Sequence, residues 1–211
     1  MSTFADIKAR IADELSRSDL TSQINLAVLS AIQFYERRRW FFTETRAMTL
    51  STVVGQEFYG VADLADIPNL LRIDGMRITV SPTSLYPLIR KPNEYIDEIN
   101  IGDTAYRGIP IYFAWYAQQI RLYPVPTAVY TLRISGVHLL TTLSAPTDTN
   151  NWTNDAEDLI RYRAKWDIYA NIIGDQDQAQ AMKNNEAEAL QSLIADNNSR
   201  DATGFVTATQ F

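Results

Sequence analysis

Few residues in this chain have the type and spacing that chemistry needs. His138 is the only histidine, and an imidazole titrating near neutrality is the usual proton-transfer group of an acid–base or nucleophilic site. It stands between Val137 and Leu139 in an alternating pattern, which reads as a strand-face residue, and no G-x-S-x-G turn accompanies it. Asp175 and Asp177 offer oxygen ligands for a hard cation. The further acids and closing glutamate of a calcium loop are missing, and two acids heading a helical pattern act as a cap and oppose the macrodipole. Glu157 and Asp158, adjacent in a first helical turn, face different ways, and nothing specific in the sequence calls for a glycosidase pair. Neither G-x-G-x-x-G nor G-x-x-x-x-G-K-[ST] occurs, so no phosphate cradle is expected. The residues predict no catalytic site, no cofactor and no metal.

Contact residues are easier to nominate. Arg37, Arg38 and Arg39 precede Trp40, Phe41 and Phe42. Cations at the end of a helical pattern compensate its dipole, and the same arginines, with Trp40, are candidates for contacts between subunits or with DNA. On a helix, three in a row point in different directions and cannot serve one site. Tyr112, Phe113, Trp115, Tyr116 and Tyr123 lack the interleaved cations of a stacking platform for single strands, so core packing or a subunit interface explains them better. Residues 174–199 hold Asp175, Asp177, Glu186, Glu188 and Asp196 against Lys183 alone, a solvated acidic face or a wall that DNA does not stick to. The final segment, DATGFVTATQF, has no charged side chain after Asp201. It cannot bury itself. Gly204, Phe205, Val206, Thr207 and Phe211 suit an extended arm that docks on a partner's edge or groove.

The elements that position these groups follow from periodicity. A helix is expected over about residues 3–17, with Thr3 and Asp6 as its capping box and Phe4, Ile7, Ile11 and Leu15 as its stripe. A second runs over about 21–39, with Leu29 and Phe34 widening its apolar face to two sides. From 44 to 148 the pattern is β. Val54-Gly55-Gln56 reads as a hairpin turn between two strands, and Leu71–Val80 as a strand interrupted at Asp74-Gly75. Leu85–Arg90 is a further strand, Pro92–Ile101 a short helix stopped by Gly102, and Ile111–Ala117 with Gln119–Tyr123 a hairpin. The last strand, Tyr130–Leu140, slips at Gly136, which predicts a bulge. Helix returns after 150, with Asn154 and Glu157 as a cap and Gly174 as a stop. A last helix reaches about 197, with Met182, Leu190, Leu193 and Ile194 as its stripe.

The fold class is α+β: an antiparallel helical bundle of two N-terminal and two C-terminal helices, a large β-rich insertion and an extended C-terminal arm. The boundaries are 1–43 and 149–200 for the bundle, 44–148 for the insertion and 201–211 for the arm. Length and composition agree. The chain has 211 residues, 46% hydrophobic and 21% charged, with net charge −6, values of a folded globular protein and not of a general nucleic-acid binder. No cysteine is present, which excludes disulfides and fits either an intracellular protein or a particle built in the cytosol and released. The N-terminus has no apolar signal-peptide core, and no window is long and apolar enough to span a membrane, so no membrane partner is expected.

Three stretches carry a resemblance: AIQFYERRRWFFTETRAMTLSTVVGQEFYGV, GIPIYFAWYAQQIRLYPVPTAVYTLRISGV and NDAEDLIRYRAKWDIYANIIGD. A helix ending in basic and aromatic residues, a T-x-T-L strand with a G-Q-x-x-Y turn, an I-x-L-x-P-x-P hairpin and a D-x-L-I helix follow in order. The chain thereby resembles the head-to-tail adaptor, or tail accessory factor, proteins of tailed bacteriophages. The resemblance implies a ring, usually a dodecamer, beneath the portal protein. The ring leads to tail or nozzle proteins, continues a channel for double-stranded DNA, and is assembled in the host bacterial cytoplasm for a place in the virion neck. It implies that residues 201–211 reach the portal, and it implies no catalysis. Another neck or tail-tube protein is the nearest alternative. A virion-associated cell-wall hydrolase would need convergent acids or a His138-centred cleft, and a cellular binding module would need different genomic neighbours.

Overall fold

The capping box at the start of the chain forms as the residue types dictate: Thr3 Oγ1 accepts from the Asp6 N–H at 3.1 Å and the Thr3 N–H donates to Asp6 Oδ2 at 2.9 Å. The computed structural model describes residues 1–81, 84–100 and 106–201. In chain order its elements are α1 (Phe4–Leu15), α2 (Thr21–Tyr35), β1 (Glu44–Ser51), β2 (Phe58–Tyr59), β3 (Leu70–Ser81), β4 (Ser84–Arg90) and α3 (Asn93–Ile99). There follow β5 (Arg107–Gly108), β6 (Tyr112–Tyr116), β7 (Gln119–Tyr123), β8 (Val125–Pro126), β9 (Thr131–His138), α4 (Asn151–Asn154), α5 (Glu157–Ile168) and α6 (Gln176–Asp201). The fold is mixed α+β. Residues 1–42 and 140–211 make one unit and 43–139 another.

In the helical unit Phe4, Ile7 and Ile11 bury the α1 stripe, with Leu15 packed at its margin. They join Ile24, Val28, Ala31 and Tyr35 of α2 and Leu159, Ile160, Ala164 and Ile168 of α5 in one core. The first N–H groups of α1 find further acceptors in the Asp148 and Pro146 carbonyls, each at 2.9 Å, so the loop before α4 closes the helix start. Glu14 is the polar tie: Lys165 Nζ lies 2.5 Å and Arg161 Nη1 2.9 Å from its carboxylate.

Several expectations for this unit need correction. Phe34 does not extend a second buried face of α2; it is 49% exposed and covered by the Arg163 guanidinium, 4.0 Å from its ring centre. The cap after residue 150 is Asn150 with Thr153, opening the separate short α4, while α5 starts at Glu157 without a side-chain cap. Beyond α5 the chain widens into a π turn, 169–173, that leaves Ile172 and Ile173 outward, and Gly174 at φ 81° ends it as expected. Asp175 does cap α6, accepting from the Gln178 N–H at 3.0 Å. The inner face of α6 is Ala179, Glu186 and Leu193, not Ile194, which is 39% exposed.

In the β unit a seven-stranded sheet runs β1-β9-β3-β4-β6-β7-β2, with β4 and β6 parallel and the other neighbours antiparallel. Its core is built from Ile73, Met76, Ile78, Phe113, Ile120, Leu122, Leu132 and Ile134, alternate residues of neighbouring strands. Gly55 turns the chain at φ 80°, but β1 and β2 are not a hairpin: they occupy opposite edges of the sheet. The β6–β7 hairpin forms with Ala117 and Gln118 both at positive φ, 50° and 57°, a turn type more often made by Asn-Gly.

The bulge expected at Gly136 is present, with its extra residue on the opposite strand. Ile73 pairs with Gly136 and Gly75 with Ser135, so the extra residue is Asp74 of β3. Gly136 is required for close approach: a Cβ there would sit 2.0 Å from the Arg72 carbonyl oxygen. Gly102, the expected stop after α3, lies outside the described residues.

Candidate functional site

The segment following α2 is where the sequence placed its contact residues, and local physics shapes it. The helix stops at Tyr35, not at 39. Arg37, Arg38 and Arg39 therefore lie in an exposed non-helical turn, so the objection that a helix would splay them does not apply. Arg38 lies 5.8 Å from the Tyr35 ring centre, within cation–π range. Glu36, partly buried, has its carboxyl raised by that burial, with the Arg37 charge opposing.

What pulls the chain off the helix axis is Trp40. It is 2% exposed, its indole N–H donates to the Tyr35 carbonyl at 3.0 Å, and its ring stacks on Phe42 at 6.2 Å. Both rings meet Trp152 of α4 edge-on, at 6.3 and 5.0 Å. Trp40 thus lies in the helical core, below the arginines, where it shapes their turn from beneath.

The same turn is fastened to the end of α6. The Phe41 N–H donates to Asn197 Oδ1 at 2.7 Å, and the Arg200 guanidinium lies 3.8 Å from the Phe41 ring centre. The structure therefore brings together the arginine turn and the root of the C-terminal segment, two features the sequence presents more than 150 residues apart. Gly204, Phe205, Val206, Thr207 and Phe211 lie outside the described residues.

Beneath this region a buried polar group holds α2, α5 and α6 in register. Tyr35 donates its hydroxyl to Glu186, and Arg163 Nη1 lies 3.3 Å from the same carboxylate. Burial first, then the hydrogen bond to Glu186 and that group's charge, pushes the Tyr35 phenol well above its ordinary range. Glu186, read as part of the acidic solvated face, points inward at 6% exposure. Its place three and four residues from apolar neighbours on one helical face is the signal that could have found it.

The groups considered for catalysis have structural partners. His138 Nδ1 is 2.9 Å from the Thr43 carbonyl. Glu157 pairs with Arg10 at 2.5 Å and Asp158 with Arg161 at 2.7 Å. Among the described residues no group of three or more acids or histidines is placed to hold a metal ion, and no helix is long and apolar enough to cross a membrane.

Sequence reasoning missed two arginine arrangements in the β unit. Arg121 of β7 is 6% exposed. It binds Glu57 at 2.5 Å, Asn93 at 2.9 Å and Asp97, tying the turn before β2 and helix α3 to the sheet. Burial alone would depress this guanidinium, and the two carboxylates outweigh it. The second arrangement joins Arg46, Arg77 and Arg133 along one groove. Only strand register brings these three together, so no local motif announces them.

The described residues thus form a helical unit interrupted by a β unit, with a basic turn joined to the end of α6. The chain belongs to the SU10 adaptor protein family, whose model matches residues 2–209, and it is a bacteriophage adaptor protein on that membership. Membership implies a structural role in the virion, associated with head and tail components. No curated protein matches the sequence.

Proposed function

We propose that the protein forms a ring, a dodecamer by analogy with the adaptors it resembles, that joins the capsid portal to the tail and continues the channel for double-stranded DNA. The ring would be assembled in the host bacterial cytoplasm and kept in the virion neck. The observation that carries this reading is the family match over residues 2–209. The geometry supports it through one contact zone: the Arg37–Arg39 turn lies beside the last turn of α6, from which residues 202–211 depart. In this reading Gly204, Phe205, Val206, Thr207 and Phe211 dock on the portal, and Arg37, Arg38 and Arg39, held up by Trp40, contact the neighbouring subunit. Tail or nozzle proteins are the further partners. One interface repeated around an axis closes a ring, and many short arms engaging together bind far more tightly than one.

Co-sedimentation with purified portal protein tests the arm. A chain truncated after residue 200 should fold with an unchanged melting temperature and lose portal binding. Equal binding by the truncated and full-length chains contradicts the arm.

A further inference from the structure

Cross-strand register places three unpaired cations on the exposed face of the β unit. Arg77 of β3 and Arg133 of β9 are direct partners, and Arg46 of β1 completes a groove of about 360 Å³ lined also by Leu85, Ile134 and Ser135. All three arginines are exposed. Among the described residues no ion pair involves them, and no acid lines the groove. Arg10, Arg17, Arg72, Arg121, Arg161 and Arg163 each hold a carboxylate; among the described residues Arg37, Arg38, Arg90, Arg107 and Arg200, like these three, do not, but only these three share one groove. Like charges directly opposite on neighbouring strands repel. A chain of net charge −6 has acids to spare, yet supplies none here, so the charge is left for an anion from outside.

The rest of the face describes that anion. Thr79 and Thr131 are cross-strand partners two residues from Arg77 and Arg133, and Thr49 pairs with Arg133, so strand alternation puts all three hydroxyls on the arginine side. Guanidinium forks and hydroxyls are the groups that hold phosphate oxygens. Protein interfaces also enrich arginine, but around an apolar, aromatic centre, and no aromatic residue lines this groove. From β1 to β3 the face spans about 10 Å at the usual strand spacing, while duplex DNA presents a charge every 1.7 Å or so of its axis. We propose that this face is a sequence-independent contact for the phosphate backbone of double-stranded DNA, made by Arg46, Arg77 and Arg133. The proposal rests on the channel reading for the identity of the polymer and adds to it a named contact surface.

The test is fluorescence anisotropy of a short labelled duplex with the full chain across a salt series. Each of Arg46→Gln, Arg77→Gln and Arg133→Gln should flatten the slope of log affinity against log salt by about 0.9, the loss of one phosphate contact. Arg17→Gln should leave it unchanged. On the wild-type chain, which needs no variant to fold, bound duplex should shield Arg46, Arg77 and Arg133 from a guanidinium-modifying reagent and leave Arg17 reactive. Unchanged slopes or unshielded arginines overturn the proposal. So does shielding by polyglutamate but not by duplex, which would assign the face to an acidic protein. Portal co-sedimentation of both chains separates the two readings: a portal-bound triple variant with wild-type DNA slopes overturns this site alone, and DNA binding by the wild-type chain that the triple variant loses, with neither chain binding portal, overturns the ring alone.

Discussion

Trp40 donates its indole N–H to the carbonyl of Tyr35, 3.0 Å away, so a residue beyond the helix satisfies the last turn of α2. The Arg38 N–H reaches the same carbonyl at 3.1 Å, so the arginine turn is closed on the end of α2 by both groups. A helix continuing to residue 39 would carry Trp40 away from Phe42 and Trp152. The buried indole outweighs the extra turn of backbone hydrogen bonds, since an aromatic of this size dominates the packing around it.

Replacing Trp40 tests both parts of that contact. Trp40→Ala should destabilise the protein by about 3–5 kcal/mol, the usual cost of emptying a buried aromatic site. Trp40→Phe keeps much of the packing and removes one of two donors to the Tyr35 carbonyl, the Arg38 N–H at 3.1 Å remaining, which costs about 0.5–1.5 kcal/mol. Denaturant unfolding gives both values; an unchanged stability for Trp40→Phe would remove the hydrogen bond from the account, and equal losses for the two variants would remove the packing.

Tyr35 gives a pH prediction. Its phenol is raised in the folded state by burial and by Glu186, while in the unfolded chain it ionises near its ordinary value of about 10. A raised folded value means the contribution is complete below the unfolded value and is lost as pH rises from there toward the folded one. Wild-type melting temperature should therefore fall above about pH 10, and Tyr35→Phe should fall less steeply over the same window. Parallel alkaline limbs would show that Tyr35 does not titrate with unfolding.

Gly136→Ala probes the bulge. The added methyl would meet the Arg72 carbonyl at 2.0 Å, a distance only backbone movement can relieve. Overpacking of this kind costs about 1–3 kcal/mol or more, and β9 and β3 must separate to absorb it. Thermal unfolding should show the loss. Gly174→Ala, with open space around it but φ 81°, should lose only about 1 kcal/mol.

The helices were legible because their signals are local. Thr3 with Asp6, Asp175 with Gln178, and Gly174 each act within one turn of where they stand, and each does so as its residue type dictates. The strands were legible singly but not in their partnerships: nothing near Gly55 says that β1 pairs with β9 and β2 with β7. The bulge expected at Gly136 is present, and only pairing shows that its extra residues stand opposite, at Asp74 of β3 and between Thr45 and Met48 of β1. Glu186 was read as solvated because its charge outvoted its position. The arginine groove left no trace in the sequence, because Arg46, Arg77 and Arg133 become neighbours only through pairing. Arg37–Arg39 and Trp40 stand out in the sequence as a run, but their junction with the end of α6 exists only through packing.

Cryo-electron microscopy of the particle neck tests the central claim most directly. The account predicts a ring of this chain between portal and tail, encircling the DNA path, with the C-terminal segments running into the portal. A neck lacking this chain, or this chain found only in the capsid shell or at the tail tip, would contradict it.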